Sequence, residues 1–458
     1  MMRMICIIRS LVLAALVGIS GGVFAASSSM VSTNLLLQPL SLRDVLDIAL
    51  RQNPAILRAK KDLEAAHGVI IQTRAIAIPK VRGTGAYSAV QPTDIDRIET
   101  TNFTFGTDQN WNSQIRLVQS LYEGGRISSA LRTARLTRDQ AVLNYQTSVA
   151  DTVVGVEVAY DDALLGEQQV VVQRASVELL RSVLEDTRKR YKAGTLPQFN
   201  VLRSEVELAN AQPRLIRAQN DFRIAKNALA NLLGFNLPRE VLEDIPMRLA
   251  DKLQAEPYDI SLPHALNLAL ERRTELGSLR KTEALRKEDI ITAQSGYKPS
   301  LHFYGGYDVH NSSLSDDLLT DRHGWITGVE MSWDIFDGFR TKGRTIEARA
   351  LFERAGIDVD DAARRIELEV RTAFSNFREA NELLTSQEKT VEWAEESLRL
   401  ARARNEAGTA TQLDVLSAQT ALTEARTTQV QALHDYAVAR ARLQRAAGAT
   451  IPAKPEMP

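Results

Sequence analysis

The chain contains only one cysteine, Cys6, which lies close to its first residue. Arg3 and Arg9 flank it, an apolar run follows, and small residues end the segment at Ala25. This order is typical of a cleavable secretory signal, so we predict a signal peptide over residues 1–25, with a single membrane anchor as the alternative. A mature chain that begins after Ala25 has no cysteine, which excludes a disulfide framework and a thiolate metal site.

The sequence also lacks an excess of one charge and any later long apolar run. Its 56 lysines and arginines balance 57 aspartates and glutamates, so no basic footprint predicts nucleic-acid binding. Without a second run of about twenty apolar residues, a membrane-spanning part would have to consist of strands. The six histidines form no HExxH motif and no phosphate-binding glycine loop occurs, so we predict no enzyme activity, cofactor or metal site.

Proline is absent from the stretch between Trp325 and Gly448, which combines one strand with two long helices. From Trp325 to Phe336, apolar and polar residues alternate, as in a strand with one apolar and one polar face. Such alternation is typical of a membrane barrel strand, although a strand of a water-soluble sandwich has the same pattern. Helix formers then dominate up to Gly408, and at about 1.5 Å per residue this helix would be roughly 100 Å long.

A seven-residue interval recurs along both helices of this stretch. Such an interval indicates helix packed on helix in a coiled coil, so we predict that the second helix folds back along the first. Large apolar residues keep the interval in the first helix and alanines keep it in the second: Phe377, Leu384, Val391 and Leu398, then Ala418, Ala425, Ala432 and Ala439.

The whole unit occurs twice in the chain. Trp325 follows Trp111 by 214 residues, and the same interval separates Gly408 from Gly194. Upstream of the loop between the two strands the interval is 220 residues, which a six-residue difference in that loop explains. Internal repetition has to be recognised before any other fold interpretation. Pairs at 220 residues include Ser41 with Ser261, Pro79 with Pro299 and Tyr87 with Tyr307.

The repeat defines the predicted segments. We expect a helix from the Ser41–Asp44 capping box to about Ala77, continuous or kinked at Pro54. We also expect polar loops over 92–110 and 311–324 and a kink at Pro213. The first repeat is predicted over 26–234, with a β-hairpin at about 81–122 and long helices at about 127–233. The second is predicted over 261–448, with a hairpin at about 301–336 and long helices at about 340–447. A linker over 235–260 joins them, and a disordered tail is predicted over 449–458.

Four strands per chain are too few for a closed membrane barrel, because the smallest such barrels have eight strands. Unpaired strand edges in lipid cost several kcal/mol per unsatisfied group. We therefore predict that three chains share one barrel. The predicted fold class is mainly α with a transmembrane β part, in which four strands from each chain complete a 12-stranded trimeric β-barrel continuous with a coiled-coil α-barrel.

Taken together, these motifs resemble the TolC-like outer membrane factor family. Besides the signal segment and the twofold repeat, the resemblance is carried by the opening at Ser41–Pro54, the strand ends at Leu121–Arg126 and Ile335–Arg340, and the turns at Arg190–Leu202 and Arg404–Leu416. It covers nearly all of the mature chain. It implies a trimeric channel-tunnel in the outer membrane of a Gram-negative-type bacterium, extending into the periplasm.

The resemblance also implies a function and partners. It implies a passive exit duct of a tripartite efflux or type I secretion system, opened by a periplasmic adaptor protein and an inner-membrane pump of RND or ABC type. The predicted partners thus include two further copies of the chain and outer membrane lipid, but no nucleic acid. A periplasmic coiled-coil spacer or adaptor without a pore is the alternative, although it has no need of tryptophan-bearing strands.

Asp414 is the main candidate site residue. In the TolC-like family an acidic ring narrows the periplasmic end of the tunnel just after the second repeat's turn, where Asp414 stands, so the resemblance implies a cation-attracting gate. A capping pair of Thr411 with Asp414 is the alternative, and the two roles are compatible. The resemblance further implies adaptor docking at the helix tips, where glycine also suffices to end a helix. These tip residues are Gly194, Thr195, Leu196, Gly408, Thr409 and Ala410.

Overall fold

The computed structural model divides the chain into two units. The small one consists of residues 1–39 and 246–248, and the large one consists of 40–245 and 249–458. The predicted signal peptide and the predicted tail from residue 450 lie outside the described residues. The structure describes residues 38–91, 98–100, 103–105, 109–235, 244–311 and 321–449.

The large unit contains the same order of elements twice. Each copy has two short helices, two strands and two long helices, and corresponding helices have equal lengths of 11, 21, 67 and 35 residues. The first copy comprises α1 (Leu42–Gln52), α2 (Pro54–Arg74), β1 (Lys80–Ala89), β2 (Gln109–Glu123), α3 (Arg126–Lys192) and α4 (Gln198–Leu232). The second comprises α5 (Leu262–Arg272), α6 (Thr274–Gln294), β3 (Ser300–Asn311), β4 (Asp321–Ser332), α7 (Arg340–Glu406) and α8 (Gln412–Ala446).

Asn53 separates α1 from α2, so the helix predicted from Ser41 to about Ala77, continuous or kinked at Pro54, is instead two helices, and the second starts at Pro54. The Asn53 backbone is extended, and its side-chain oxygen caps α2 by accepting from the Ala55 amide at 2.7 Å. Its side-chain nitrogen donates to the Leu232 carbonyl at 2.6 Å, which ties the break to the end of α4. Proline at the next position disfavours helical geometry at Asn53. The predicted capping box at Ser41 is confirmed.

Small side chains line the contact between paired long helices. Ser204, Ala211 and Ala218 of α4 are buried against α3, and the four alanines predicted for α8 are buried as well. At Gly166 of α3 the backbones approach so closely that an added Cβ atom would lie 2.9 Å from the Cα atom of Phe222. The heptad prediction is therefore confirmed as helix pairing. Pro213 lies within one continuous helix, α4.

The long helices form a layer in which α3 packs against α4 and α8, and α8 packs against α7. Nearer the sheet, the shorter helices α2 and α6 pack beside the long helices, so that neighbours follow in the order α2, α3, α6 and α7. In this layer α2 and α7 are the edge helices, because among these four helices α2 packs only against α3 and α7 packs only against α6. None of the described helices is both long enough and apolar enough to cross a bilayer.

The four strands form one antiparallel sheet in the order β1-β2-β3-β4. One cross-strand row joins Gly83, Ile115, Tyr307 and Trp325, and its neighbour on the other face joins Thr84, Gln114, Asp308 and Gly324. The register therefore collects the alternating apolar residues of all four strands on one face. Within this chain β1 and β4 each have one neighbour, so the sheet has two free edges.

Both boundaries of β4 differ from the predicted ones. β4 ends at Ser332, short of Phe336, because its partner strand begins only at Ser300, which pairs with Ser332. The Trp333 indole nitrogen instead donates to the Tyr297 carbonyl at 3.2 Å. β4 also begins at Asp321, within the loop predicted over 311–324, since it continues to pair with β3 up to Asn311.

The predicted loop over 92–110 contains a short hairpin. Residues 98–100 and 103–105 form two antiparallel strands, with Ile98 opposite Phe105. Apolar residues at these positions favour local pairing where the acidic composition of the loop predicts none. The other residues of the central part of this loop lie outside the described ranges.

Two glycines of α3 provide a matched stability test. Gly155 has no atom within 4 Å of an added Cβ, so Gly155→Ala should gain helix propensity, worth about 1 kcal/mol, and raise the unfolding temperature. Gly166→Ala should lower that temperature despite the same gain, because the Phe222 backbone has to move. Thermal unfolding of the purified protein in detergent compares them. A higher unfolding temperature for Gly166→Ala would contradict the close approach of α3 and α4.

Candidate functional site: helix tips, repeat seam and sheet faces

The two helix tips have nearly the same backbone hydrogen bonds. Gly194 and Gly408 have φ angles of 76° and 72°, values that favour glycine and end α3 and α7. At the first tip, both the amide and the hydroxyl of Thr195 donate to the Arg190 carbonyl, at 3.0 and 2.8 Å. Thr409 repeats this pair of bonds with the Arg404 carbonyl, at 2.9 and 3.1 Å.

The second tip is closed by further bonds at Ala410. The Ala410 amide donates to the Arg404 carbonyl at 3.2 Å, and the Asn405 side-chain nitrogen donates to the Ala410 carbonyl at 3.1 Å. Leu196, the equivalent of Ala410 in the first tip, precedes Pro197, which starts α4 without a side-chain cap. The first tip therefore has fewer bonds that fix the entry of its return helix.

Asp414 caps the N-terminus of α8. Its Oδ2 atom accepts from the Thr411 amide at 2.7 Å and from the Thr411 hydroxyl at 2.8 Å, while its own amide donates to that hydroxyl at 3.3 Å. The bond from the Thr411 amide, helped by its hydroxyl, lowers the pKa of Asp414 below its usual value. The carboxylate is exposed and charged at neutral pH. The predicted capping pair is thus present, and its charge is available at the tip.

The valine-leucine pair after each tip packs differently in the two copies. In the second copy Val415 packs against Leu398 of α7, whereas Leu416 crosses to the first copy and packs against Val177. Leu202, the equivalent of Leu416, remains 52% exposed. The same sequence pattern therefore makes a contact between repeats at one tip and leaves an apolar side chain uncovered at the other.

Polar contacts cross the seam between α3 and α8, where the two repeats meet. Near the tips, the Gln412 side chain donates to the Thr187 hydroxyl at 3.3 Å, and the Thr423 hydroxyl donates to the Ser176 hydroxyl at 3.1 Å. Farther along, Arg445 pairs with Asp151, with its Nε atom 2.9 Å from Oδ1. These bonds align the repeats without the continuous apolar seam of the α7–α8 pair.

A histidine in this seam lies between two carboxylates. The Nε2 atom of His434 is 2.7 Å from Oδ1 of Asp162, and its Nδ1 atom is 3.0 Å from Oδ1 of Asp435. Burial lowers the pKa of His434, but the two carboxylates together raise it above its ordinary value. A protonated His434 therefore holds α3 and α8 together more strongly than a neutral one.

Sequence reasoning missed a buried carboxyl group beside this histidine. Asp161 is 8% exposed and forms no hydrogen bond or ion pair with the described residues. Burial raises the pKa of Asp161 to about 7, Glu157 one turn away adds to the increase, and His434 and Arg440 oppose it. Its equivalent in the second repeat is Ser375, so the repeat comparison gives no signal for this group.

Two basic residues at equivalent positions hold the segment that joins the repeats. Lys226 of α4 pairs with Asp244 and donates to the Ile245 carbonyl at 3.1 Å. Arg440 of α8 follows Lys226 by 214 residues and donates to a Glu256 carboxylate oxygen at 2.6 Å. The 214-residue interval between Lys226 and Arg440 is a signal in the sequence that could have identified these two contacts with the joining segment.

The sheet has one polar face, which carries the histidines His302 and His310. The His302 ring lies 3.2 Å from the Ser120 hydroxyl, and the His310 ring lies 2.9 Å from an Asp308 carboxylate oxygen. Among the described residues, no group of three histidine, cysteine or acidic side chains is placed to hold a metal ion. The opposite face exposes large apolar side chains, with Trp325 85% exposed.

A family model described as outer membrane efflux protein matches residues 45–235 and 265–449. The two matched ranges correspond to the two repeats and cover most of the chain. The chain belongs to the outer membrane efflux protein family. Proteins of this family are channels and not enzymes, so the comparison supports the predicted outer membrane channel over the alternative of an adaptor without a pore.

Related members of the outer membrane efflux protein family span almost the whole chain. Alkaline protease secretion protein AprF of Pseudomonas aeruginosa is 26% identical over 422 residues, with 89% of this chain and 84% of the relative aligned. Outer membrane protein TolC of Vibrio cholerae is 24% identical over 415 residues, covering 89% and 90%. Cobalt-zinc-cadmium resistance protein CzcC of Cupriavidus metallidurans is 24% identical over 397 residues, covering 85% of each.

Solved structures show the same fold. The CmeC outer membrane channel of Campylobacter jejuni superposes with a TM-score of 0.76 at 16% identity, covering 91% of this chain and 87% of that one. VceC of Vibrio cholerae gives a TM-score of 0.74 at 18% identity, covering 89% and 96%. The duplicated arrangement of short helices, strands and long helices is therefore the fold of this efflux protein family.

The buried acid at the seam predicts a pH-dependent stability. Because the pKa of Asp161 is raised from 3.8 to about 7, the folded protein holds a proton that the unfolded chain releases between these values. The raised pKa of His434 acts in the same direction. The stability that Asp161 contributes should therefore be lost as the pH rises from about 4 to about 7, whereas carboxyls with a lowered pKa, such as Glu288 and Asp414, contribute in the opposite direction.

Asp161→Asn removes this contribution, so between pH 4 and pH 7 the unfolding temperature of the variant should fall less, or rise more, than that of the unchanged protein, and it should be higher at pH 7.5. The exposed Glu185 of the same helix offers a control, Glu185→Gln, which should leave the slope unchanged. Circular dichroism melts of the purified protein across this pH range make the comparison. An Asp161→Asn slope equal to that of the unchanged protein would contradict the assignment of a buried, protonated Asp161.

Proposed function

We propose that three copies of this chain form an outer membrane channel-tunnel that serves as a passive exit duct of a tripartite efflux or type I secretion system. The observation that carries the proposal is the four-stranded sheet, with one continuous apolar face and a free strand at each edge. The apolar face meets lipid and the polar face, with His302 and His310, lines a wet lumen.

The free edges determine how many chains are needed. Each edge strand has backbone groups without partners in its own sheet, and in lipid every such group costs several kcal/mol. Three sheets placed side by side give twelve strands and close the barrel, as head-to-tail contacts do in a ring. On the periplasmic side of the barrel, the paired long helices of the three chains continue as an α-barrel.

The helix tips are the surface for a periplasmic adaptor. Both tips have the same backbone geometry and expose an apolar side chain, Phe199 at the first and Leu413 at the second, and the first tip additionally exposes Leu202. Exposed apolar residues on a helix end provide contact area for a partner helix. An inner-membrane pump of RND or ABC type then supplies the energy. Relatives named for protease secretion and for metal resistance indicate that the fold serves more than one kind of cargo.

Asp414 forms the gate of this channel. It stands one turn after the second tip with an exposed carboxylate whose pKa is lowered, so it keeps its charge well below neutral pH. Three copies around the axis make an acidic ring that attracts cations. The capping bonds from Thr411 fix the position of each carboxylate, so cap and gate are two uses of one side chain.

Assembly and membrane insertion test the channel itself. Expressed with its signal segment, the protein should remain in the outer membrane fraction after carbonate or urea washing. Purified in detergent, it should have a native mass of three chains and conduct ions in a planar bilayer. Release into the soluble fraction, or a stable single chain in detergent, would refute the proposed channel.

The gate is tested by removing the charge and the cap separately. Asp414→Asn keeps the size of the side chain and should reduce cation preference and weaken block by multivalent cations in planar bilayers. Thr411→Ala removes a capping hydroxyl but keeps the carboxylate, so it should retain selectivity while weakening the end of α8. If Asp414→Asn leaves selectivity and block unaltered, Asp414 is a helix cap only.

A further inference from the structure

The repeat leaves two helix contacts that a single chain does not make, the α7 counterparts of the α3–α6 and α3–α8 contacts, and the first of these can be assigned residue by residue. Since α2 is equivalent to α6 and α3 is equivalent to α7, each helix contact should have a counterpart in the other copy. The α2–α3 contact corresponds to α6–α7, and both are present. The α3–α6 contact corresponds to a contact between α7 and α2, which lie at opposite edges of the layer. The α7–α2 contact therefore requires a neighbouring chain.

The α3–α6 contact provides a residue-level template for the missing one. The two helices run antiparallel, and polar pairs join their facing sides. Gly277 of α6 lies against Leu143 of α3, where an added Cβ would be 3.3 Å from the leucine Cδ1 atom. The polar pairs are Lys281 with Asp139 at 3.2 Å, Thr282 with Gln140 at 2.7 Å and Ser278 with Asn144 at 2.6 Å.

We propose that α7 of one chain packs against α2 of the next in this same geometry and that three ion pairs fix its register. Moving each α3 residue forward by 214 positions and each α6 residue back by 220 converts the template into pairs between chains. The resulting pairs are Glu353 with Lys61, Arg354 with Asp62, Asp358 with Arg58, and Ile357 with Leu57.

The charges of these residues support the inference, because the pairs follow from the template and the repeat intervals alone and charge had no part in choosing them. All three polar pairs join opposite charges, and all six residues are exposed in the single chain. Among the described residues, Asp62, Glu353, Arg354 and Asp358 have no ion-pair partner, and Lys61 pairs only with Glu64 of its own helix. The apolar pair is also uncovered, with Ile357 65% and Leu57 45% exposed.

Alternative registers are disfavoured by like charges. A shift of one helical turn in one direction places Arg58 opposite Arg354 and Lys61 opposite Arg349. A shift in the other direction places Asp62 opposite Asp358. Like charges at contact distance destabilise a helix pair, so only the register given by the template joins opposite charges at all three positions.

One position shows how the contact between chains differs from its template. Inside the chain, Arg132 makes a two-bond ion pair with the buried Glu288, at 2.8 and 2.9 Å. The equivalents are Ile346, which is exposed, and Gly68, whose Cβ position has no neighbour within 4 Å. The missing side chain of Gly68 leaves room for the isoleucine. An apolar contact thus replaces a buried ion pair between chains.

This inference rests on the proposed homotrimer, and cysteine pairs test it separately. The mature chain predicted from the sequence has no cysteine of its own, so introduced pairs report without background. Leu57→Cys with Ile357→Cys, treated with a short bismaleimide in detergent, should give covalently linked trimers on a denaturing gel. Leu143→Cys with Gly277→Cys places the template pair within one chain and should link without any increase in chain number.

A register control uses the same helices. Leu57→Cys with Ala350→Cys moves one partner by seven residues, about 10 Å along α7, and should give at least tenfold less linked product. Charge reversal adds a second measurement. Lys61→Glu should lower the fraction of trimer at low salt, and Lys61→Glu with Glu353→Lys should restore it.

The outcomes separate the two proposals. Linked trimers from the Leu57 and Ile357 pair alone, with charge reversal rescued by the second change, support the assigned interface. A trimeric native mass with no such linkage, or with linkage through Ala350, overturns the interface and leaves the homotrimer intact. A native mass of one chain for the unchanged protein overturns the homotrimer and the interface together.

Discussion

Close approach of the paired long helices depends on small side chains repeated at seven-residue intervals. Serine and alanine on α4 and alanine on α8 let the backbones come near enough for Phe377 and Tyr436 to fill the remaining space. A helix of 67 residues is about 100 Å long, and it keeps a constant distance from its partner because small positions recur along the contact. The spacing of the layer, and hence the position of each tip, follows from this regularity.

Duplication gives the chain two pairs of long helices of equal length, but the two pairs have different neighbours. α8 lies between two long helices, so its outward residues, such as Leu416, are covered by the first repeat. α4 is marginal, and its equivalent Leu202 is uncovered. The second repeat is thus the more constrained one within a chain, which agrees with the additional bonds at its tip.

Features with a local cause could be predicted from the sequence, and features that depend on distant contacts could not. Gly408 ends a helix because its own φ is positive, and Thr411 with Asp414 caps the next one through bonds over three residues. The end of β4 at Ser332 depends on where β3 starts, and the buried state of Asp161 depends on what α8 places beside it. Neither has a pattern in its own stretch of sequence.

The two repeats differ in length only between their strands. Every helix has the same number of residues in both copies, and the interval changes from 220 to 214 residues between the first and second strand of each hairpin. Loop length is therefore uncoupled from the heptad register of the tunnel. The loops between the strands can lengthen, shorten or accept an inserted peptide over evolutionary time, while the long helices and their tips keep their alignment.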